Sequence, residues 1–173
     1  METFRNGDAI PEAKSPEAWQ IAAENAMPAW CYFNNDIANA PFGKLYNWYT
    51  VHDPRGLAPK GWHIPGDRDW TMLFLYLGCN TDSVLKRELF RNVSLHEKQA
   101  ENFVSLKQPN GFRDSEGAFT QEKAGLNLWW STTHFDSNKA IVRGIDASCN
   151  EAVKIYWDKG VGLFVRCVRE MQE

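Results

Sequence analysis

The chain has 173 residues, a net charge of −3 and an aromatic content of 13%. This length suits a single domain spanning residues 1–173, and the mixed charges lack the basic stripe that a nucleic-acid partner requires. No apolar run approaches the ~20 residues of a membrane span, so no direct membrane insertion is expected. The first residues lack the apolar core of a signal peptide, which leaves open whether an export signal or a further domain belongs upstream.

Helix signals occupy the first half of the chain. Ser15-Pro16-Glu17 supplies an N-cap serine, a proline and an acid in the first turn, and Pro28 ends the helix that follows. A short strand is expected within residues 29–36, ending in the turn Asn34-Asn35-Asp36. A second helix is predicted from Asp67 to Gly78, and a weaker third one over 82–91.

The segment 43–70 lies between these helices and is dense in tryptophan, proline and histidine. Such a composition does not fit one regular element, because proline and glycine interrupt it repeatedly. It predicts an irregular segment that buried rings hold in place, with Trp62 and, further along, Trp130 among the buried ones.

Strand signals dominate from residue 103 onward. Asn110-Gly111, the turn at 115–117 and the turn at 158–160 separate short apolar runs. These runs predict strands at residues 103–106, 118–120, 126–133, 140–145, 152–157 and 163–168. Helices first and antiparallel strands last indicate the α+β class rather than a wound parallel sheet.

Chemical motifs are sparse in this sequence. The four cysteines are spaced irregularly, which argues against a zinc site or a redox pair. Three disulfide pairings stay open, although buried free thiols are the simpler interpretation. The histidines include no pair at the spacing of two ligands on one helix face, and the sequence lacks a glycine-rich phosphate loop. No metal and no cofactor are therefore predicted.

Several motifs in the same order resemble the Fibrobacter succinogenes major paralogous domain family. They are, in chain order, Gly43-Lys44-Leu45-Tyr46-Asn47-Trp48-Tyr49, Asp53-Pro54-Arg55-Gly56-Leu57, Gly61-Trp62-His63-Ile64-Pro65, Gly111-Phe112-Arg113, Trp129-Trp130-Ser131-Thr132 and Phe164-Val165-Arg166-Cys167-Val168-Arg169. The resemblance covers nearly the whole chain and extends to the C-type-lectin-like and formylglycine-generating-enzyme group. It implies a C-type-lectin-like fold, in which two or three helices pack on a twisted antiparallel sheet with long irregular loops.

The resemblance implies a location and a class of function, but no agreed activity. Relatives are common in surface and lipid-anchored proteins of Bacteroidetes and Fibrobacteres, so an extracellular or cell-surface location is expected. The enzymes of the wider group need two closely spaced cysteines near the end, which this chain lacks, so a non-enzyme is expected. The family's usual serine before the second helix is Gly66 here.

The favoured hypothesis is a non-catalytic ligand-binding module of a bacterial surface or phage protein that recognises a glycan or a protein. In lectin-like folds the later loops and strands present the binding face, which points to His134, Phe135, Asp136, Asn138, Asn150, Tyr156, Trp157 and Asp158. Tyr156 and Trp157 alternate along a strand, so at most one ring faces outward, and a binding role for Trp157 requires that it be that ring.

Other functions stay open at this point. His52, Asp53 and His63 flank the proline-rich loop and would form an enzyme site if they converged in a polar pocket. Members of the group also serve as diversified binding proteins encoded by retroelements, with variation in the same C-terminal segment. A purely structural envelope domain is the remaining alternative.

Overall fold

The computed structural model describes residues 1–76, 111–121, 126–146 and 151–169. Helices and short antiparallel strands are mixed in these ranges, which confirms the α+β class. The elements are α1 (Pro16–Glu24), β1 (Trp30–Cys31), β2 (Leu45–Tyr46), α2 (Trp48–Val51), β3 (Trp62–His63), α3 (Asp67–Tyr76), β4 (Gly111–Arg113), β5 (Phe119–Gln121), β6 (Leu126–His134), β7 (Lys139–Asp146), β8 (Glu151–Asp158) and β9 (Val168–Arg169). The predicted third helix at 82–91, the strand at 103–106, Gly78, Cys79, Cys149 and Asn150 lie outside the described residues.

The strands form four antiparallel groupings within the described ranges rather than the single sheet that the resemblance implies. Three are pairs of short strands, β1-β2, β3-β9 and β4-β5, and the fourth is the three-stranded sheet β6-β7-β8. Strand β8 pairs with β7 along its whole length, from Lys139 opposite Asp158 to Asp146 opposite Glu151. Proline and glycine keep the early strands short, because neither residue extends a regular ladder.

The three-stranded sheet separates two buried clusters. Trp130 contributes to one cluster with Tyr46 and Val142, whereas Trp129 contributes to the other with Trp70 and Phe74. Successive side chains of a strand point to opposite faces, so the Trp129-Trp130 pair joins both layers of the core. The Trp130 indole donates a hydrogen bond to the Tyr46 carbonyl at 2.9 Å, which confirms its predicted burial.

Trp62 was predicted to be buried, and that prediction is wrong. Its side chain is 40% exposed on β3, a strand of two residues that pairs only with the equally short β9. The adjacent Ile64 takes the buried position instead. The family motif around Trp62 therefore contributes its backbone to the fold, including a carbonyl that accepts a hydrogen bond from Arg5 at 3.1 Å.

The last predicted strand, at 163–168, is also much shorter than expected. Only Val168–Arg169 forms a strand, whereas Leu163 and Phe164 make isolated bridges to Tyr46 and Trp129. This segment crosses two different sheets, so its backbone bonds cannot form one continuous ladder. Leu163 and Phe164 therefore connect β2 to β6 by backbone hydrogen bonds; we call these two residues the connector.

The two cysteines inside the described ranges, Cys31 and Cys167, are free thiols, in line with the simpler interpretation. Burial raises the pKa of the Cys31 thiol to about 11, which keeps it protonated and unreactive at neutral pH. The Asn34-Asn35-Asp36 segment is a turn, as expected. Asn35 bonds to the Lys14 carbonyl, and the Asp36 carboxylate caps the following 3-10 segment through the Ala38 N–H. Within the described ranges, no helix has the length and apolar character to cross a bilayer.

Two side chains bind backbone N–H groups at the start of helix α3, where Gly66 has no side chain to act as a cap. The Asp69 carboxylate accepts a hydrogen bond from the Gly66 N–H at 2.8 Å, and the Thr133 hydroxyl of β6 accepts one from the Asp67 N–H at 2.9 Å. The first bond is the one that the third helical residue makes in a capping box, and the second serves a donor of the first turn that no helical carbonyl reaches. Although Gly66 has no side chain to act as a cap, two N–H groups at the start of α3 are therefore bonded, one of them to β6.

We expect Thr133→Val to destabilise the fold by about 1 kcal/mol, because it removes the hydroxyl that caps α3 while keeping the shape of the side chain. Urea unfolding of both proteins measures this difference. Thr133→Ser is the matched control, since serine retains the acceptor. An effect of Ser equal to that of Val would contradict the capping role.

Candidate functional site

A polar cleft of about 380 Å³ opens beside the turn that joins β6 to β7. Five segments that are distant in sequence line it: helix α1, helix α2, the β4–β5 turn, the β6–β7 turn and the end of β8. The lining residues are Gln20, Ala23, Glu24, Tyr49, Ser115, Glu116, Asn138 and Asp158. A volume of this size lies within the usual range of small-molecule sites.

Tyr49 reaches the cleft because its neighbour Trp48 is anchored inward. The Trp48 indole donates a hydrogen bond to the Ser131 carbonyl at 2.9 Å, and the Trp48 N–H bonds to the Lys159 carbonyl at the same distance. The Asn47 side chain caps this short helix through the Thr50 N–H. Tyr49 is thereby held at the cleft. It lies in the segment 43–70, which the sequence predicts to be an irregular segment held by buried rings.

The turn carrying Asn138 is fixed from two sides. The Asp136 carboxylate accepts hydrogen bonds from the Asn138 and Lys139 N–H groups at 2.8 and 2.7 Å, and these bonds lower the pKa of Asp136. The buried Lys159 ammonium donates hydrogen bonds to the Asp136 and Ser137 carbonyls of the same turn, both at 2.8 Å. Asn138 is therefore presented on a rigid turn, with its side chain bonded to none of the described residues.

Asp158 forms the wall opposite α1. One carboxylate oxygen accepts hydrogen bonds from the Gly160 N–H at 2.8 Å and from the Ser115 hydroxyl at 3.2 Å. The Trp19 indole of α1 donates to the Gly160 carbonyl at 3.0 Å and so docks the helix beside the cleft. A Cβ at Gly160 would lie 2.7 Å from that of Ala23, so only glycine allows the two walls this close.

The cleft is negatively charged and rich in hydrogen-bond acceptors. Three of its lining residues, Glu24, Glu116 and Asp158, carry carboxylates, and neither lysine nor arginine is among the lining residues. Burial, followed by the Asp158 charge, raises the pKa of Tyr49, so its hydroxyl stays neutral at physiological pH. Among the described residues, no group of three His, Cys, Asp or Glu side chains is placed to hold a metal ion.

The structure divides the residues that the sequence proposed for ligand binding. Asn138 and Asp158 line the cleft, and Asp136 orders the turn beside it. Phe135 and Tyr156 lie together on the surface, with ring centroids 4.2 Å apart, and His134 is exposed next to them. Asn150 lies outside the described residues.

Trp157 is not the outward ring of β8, so the condition for its binding role is not met. Trp157 packs inward against the core, with its ring 4.7 Å from that of Phe112, whereas Tyr156 is 43% exposed. The alternation itself was predicted correctly. Its direction follows from the register, since Trp157 stands opposite the fully buried Ala140.

The residues of the alternative enzyme site have separate partners. The His52 ring stacks on Trp48 at 4.4 Å, and Asp53 forms an ion pair with Arg55 at 2.9 Å. The hydrogen bonds from Arg55 lower the pKa of Asp53. His63 lies 3.6 Å from Asp69, a residue of α3. Each side chain thus contacts a different neighbour, and the enzyme hypothesis gains no support from these contacts.

Sequence reasoning missed most of the cleft. Gln20 and Glu24 are one turn apart on the polar side of α1, bonded to each other at 2.8 Å, and look like ordinary solvated residues. Ser115 and Glu116 carried only a turn signal. The one usable signal was Tyr49, because a tyrosine next to a buried tryptophan in a helix must point in another direction.

The described residues combine an α+β fold with a polar surface cleft. The family model of the Fibrobacter succinogenes major domain matches residues 1–169, and the chain belongs to this family. No curated protein and no solved structure matches the chain. Family membership therefore confirms the resemblance seen in the sequence motifs and leaves the activity to be argued from the site.

Proposed function

We propose that this chain is a non-catalytic binding module that holds a neutral sugar unit of a glycan in the cleft around Tyr49. The observation that carries this proposal is the lining itself, in which one tyrosine ring stands among amide, hydroxyl and carboxylate groups. Aromatic rings offer an apolar face to the C–H groups of a sugar ring, while acceptors around the rim bind its hydroxyls. This combination is what a polyol with one apolar face requires.

A glycan fits the lining better than a protein segment does. Protein contacts are centred on desolvated apolar or aromatic anchors, and Ala23 is the sole purely aliphatic side chain among the lining residues. The carboxylates of Glu24, Glu116 and Asp158 accept hydrogen bonds from neutral hydroxyls, and such charge-assisted bonds are the stronger kind. The same three carboxylates repel acidic sugars, so the proposal includes selectivity against uronic acids and sulfated units.

The C-type-lectin-like fold and display on a bacterial surface or a phage particle belong to the same proposal. Three features support this fold: the irregular segment between β1 and α3, the packing of α3 on β6 and β7, and the short antiparallel strands. An experimental structure of the whole chain tests it. A different connectivity of the described strands would contradict it.

We expect wild-type protein to bind neutral glycans and Tyr49→Ala to weaken that binding about tenfold or more, through loss of the ring face. A glycan array identifies the sugar, and isothermal titration then gives the affinity of each variant. Tyr49→Phe keeps the ring and should retain most of the affinity. Tyr76→Ala removes an exposed tyrosine of α3, away from the cleft, and is the matched control.

Three results would contradict the proposal. The first is equal affinity of Tyr49→Ala and wild type for the selected sugar. The second is a preference for acidic over neutral glycans, which the charge of the cleft forbids. The third is the failure of all glycans together with specific capture of a protein by the same cleft, which would favour the protein-binding alternative.

A further inference from the structure

An exposed pair of aromatic rings lies at the same end of the three-stranded sheet as the cleft. Phe135, which follows β6, is 53% exposed, and Tyr156 on β8 is 43% exposed. Their ring centroids are 4.2 Å apart with the planes inclined by 35°, so the two rings form one continuous apolar surface. We call this surface the ring pair.

The ring pair has no evident role in stabilising the core. The strand already places Trp157 inward, where it contacts Phe112, and Tyr156 points to the other face. The chain neighbours of Phe135 are the polar residues His134 and Asp136, whereas those of Tyr156, Ile155 and Trp157, pack against the core. An apolar patch with a polar rim is typical of a contact surface for a ligand.

The ring pair and the cleft are close and rigidly connected. Phe135 and Asn138 are three residues apart in one turn, so their Cα atoms are separated by at most ~11 Å. Tyr156 and Asp158 are two residues apart on an extended strand, a Cα separation of roughly 7 Å. The Asp136 carboxylate and the Lys159 ammonium brace the intervening turn, so this spacing is fixed before any ligand binds.

We infer that the ligand is a chain of at least two linked neutral sugar units, one held in the cleft and the next stacked on the ring pair. This inference rests on the proposed function and adds to it the length of the ligand. A cleft of about 380 Å³ accommodates only a short piece of a polysaccharide. A chain that leaves the cleft past Asn138 and Asp158 meets the ring pair next, and its C–H face matches the apolar surface found there.

The test is a ladder of oligosaccharides of one to six units, built from the neutral sugar that the wild-type chain binds, measured by isothermal titration. We expect affinity to rise about fivefold to tenfold when the second unit is added and to change little beyond the third. The variants Phe135→Ala and Tyr156→Ala should bind the single sugar as wild type does and lose the gain from the second unit. Trp62→Ala, which removes an exposed ring elsewhere, should keep the full gain.

The outcomes separate the two proposals. Binding of the single sugar with no gain from longer chains would overturn the inference and leave the cleft proposal standing. The inference is also overturned, and the cleft proposal left standing, if Phe135→Ala and Tyr156→Ala keep the full gain in affinity from the second sugar unit. Absence of binding to every neutral glycan on the array, which leaves no sugar from which to build the ladder, would overturn both. Circular dichroism of each variant confirms that the fold is intact, and Tyr156→Phe, which keeps the ring, should restore the gain.

Discussion

Replacing Trp130 by alanine is expected to destabilise the protein by ~3–5 kcal/mol, as truncation of a buried aromatic residue does. The Trp130 side chain is fully buried between β6 and the connector at Leu163, in the cluster that also holds Tyr46 and Val142. Its truncation leaves a cavity and also leaves the Tyr46 carbonyl without the indole donor at 2.9 Å. The packing and hydrogen-bond losses act in the same direction.

Trp62→Ala is the matched control, because it removes the same side chain from a site that is 40% exposed. We expect this variant to differ from wild type by less than about 1 kcal/mol, because surface substitutions usually change stability by about 0.5 kcal/mol or less. Urea unfolding followed by fluorescence gives both values. Equal losses for the two variants would show that Trp62 is a core residue and that its exposure in the structure is wrong.

The contrast between these two tryptophans shows what the sequence could and could not predict. Trp130 lies in the predicted strand at 126–133, where strand alternation forces one of two adjacent tryptophans into each layer of the core. Trp62 lies in a two-residue strand bounded by glycine and proline, where no periodicity exists to assign a direction. The density of rings in 43–70 therefore predicted an irregular segment correctly, but it could not predict which ring is buried or that Tyr49 lines the cleft.

The same reasoning explains the outcome at the candidate site. The resemblance to lectin-like folds pointed to Asn138 and Asp158 in the later loops and strand ends, which is where ligand-contacting residues often lie. The facing wall, Gln20 and Glu24, depends on how α1 docks on Gly160 through Trp19, a contact between residues 141 positions apart. No local pattern encodes such a contact. The direction of Tyr156 and Trp157 likewise depended on the register with β7, which only the assembled sheet determines.

Arg113 is another residue whose role only the tertiary structure reveals. It is fully buried at the end of β4, where its guanidinium donates to the Ala13 carbonyl at 2.6 Å and to the Gly117 carbonyl at 3.0 Å. Its central carbon lies 4.9 Å from the Trp19 ring and 4.8 Å from the Phe119 ring. Arg113 thus joins the segment before α1, the β4–β5 turn and α1 itself, and the last two of these elements line the cleft.

We expect Arg113→Ala to destabilise the protein by about 3–5 kcal/mol, the order of two hydrogen bonds from a charged donor at ~1.5–3 kcal/mol each. The two carbonyls would be left buried and unpaired, and the two aromatic rings would lose the cation between them. Thermal and urea unfolding measure the loss. Because the β4–β5 turn carries Ser115 and Glu116, glycan affinity should fall in the same variant at temperatures where it remains folded.

Two further substitutions separate charge from geometry at this position. Arg113→Lys keeps the positive charge but lacks the planar fork that serves both carbonyls, so we expect it to lose about 2 kcal/mol or more. Arg113→Met keeps much of the volume and removes the charge. If the methionine variant is as stable as wild type, the free energy lost by desolvating the guanidinium equals the free energy that its hydrogen bonds contribute. Buried ion pairs that apolar residues replace without loss of stability behave in this way. If the lysine variant is as stable as wild type, the fork geometry is irrelevant, and the buried charge alone accounts for the arginine in the Gly111-Phe112-Arg113 motif.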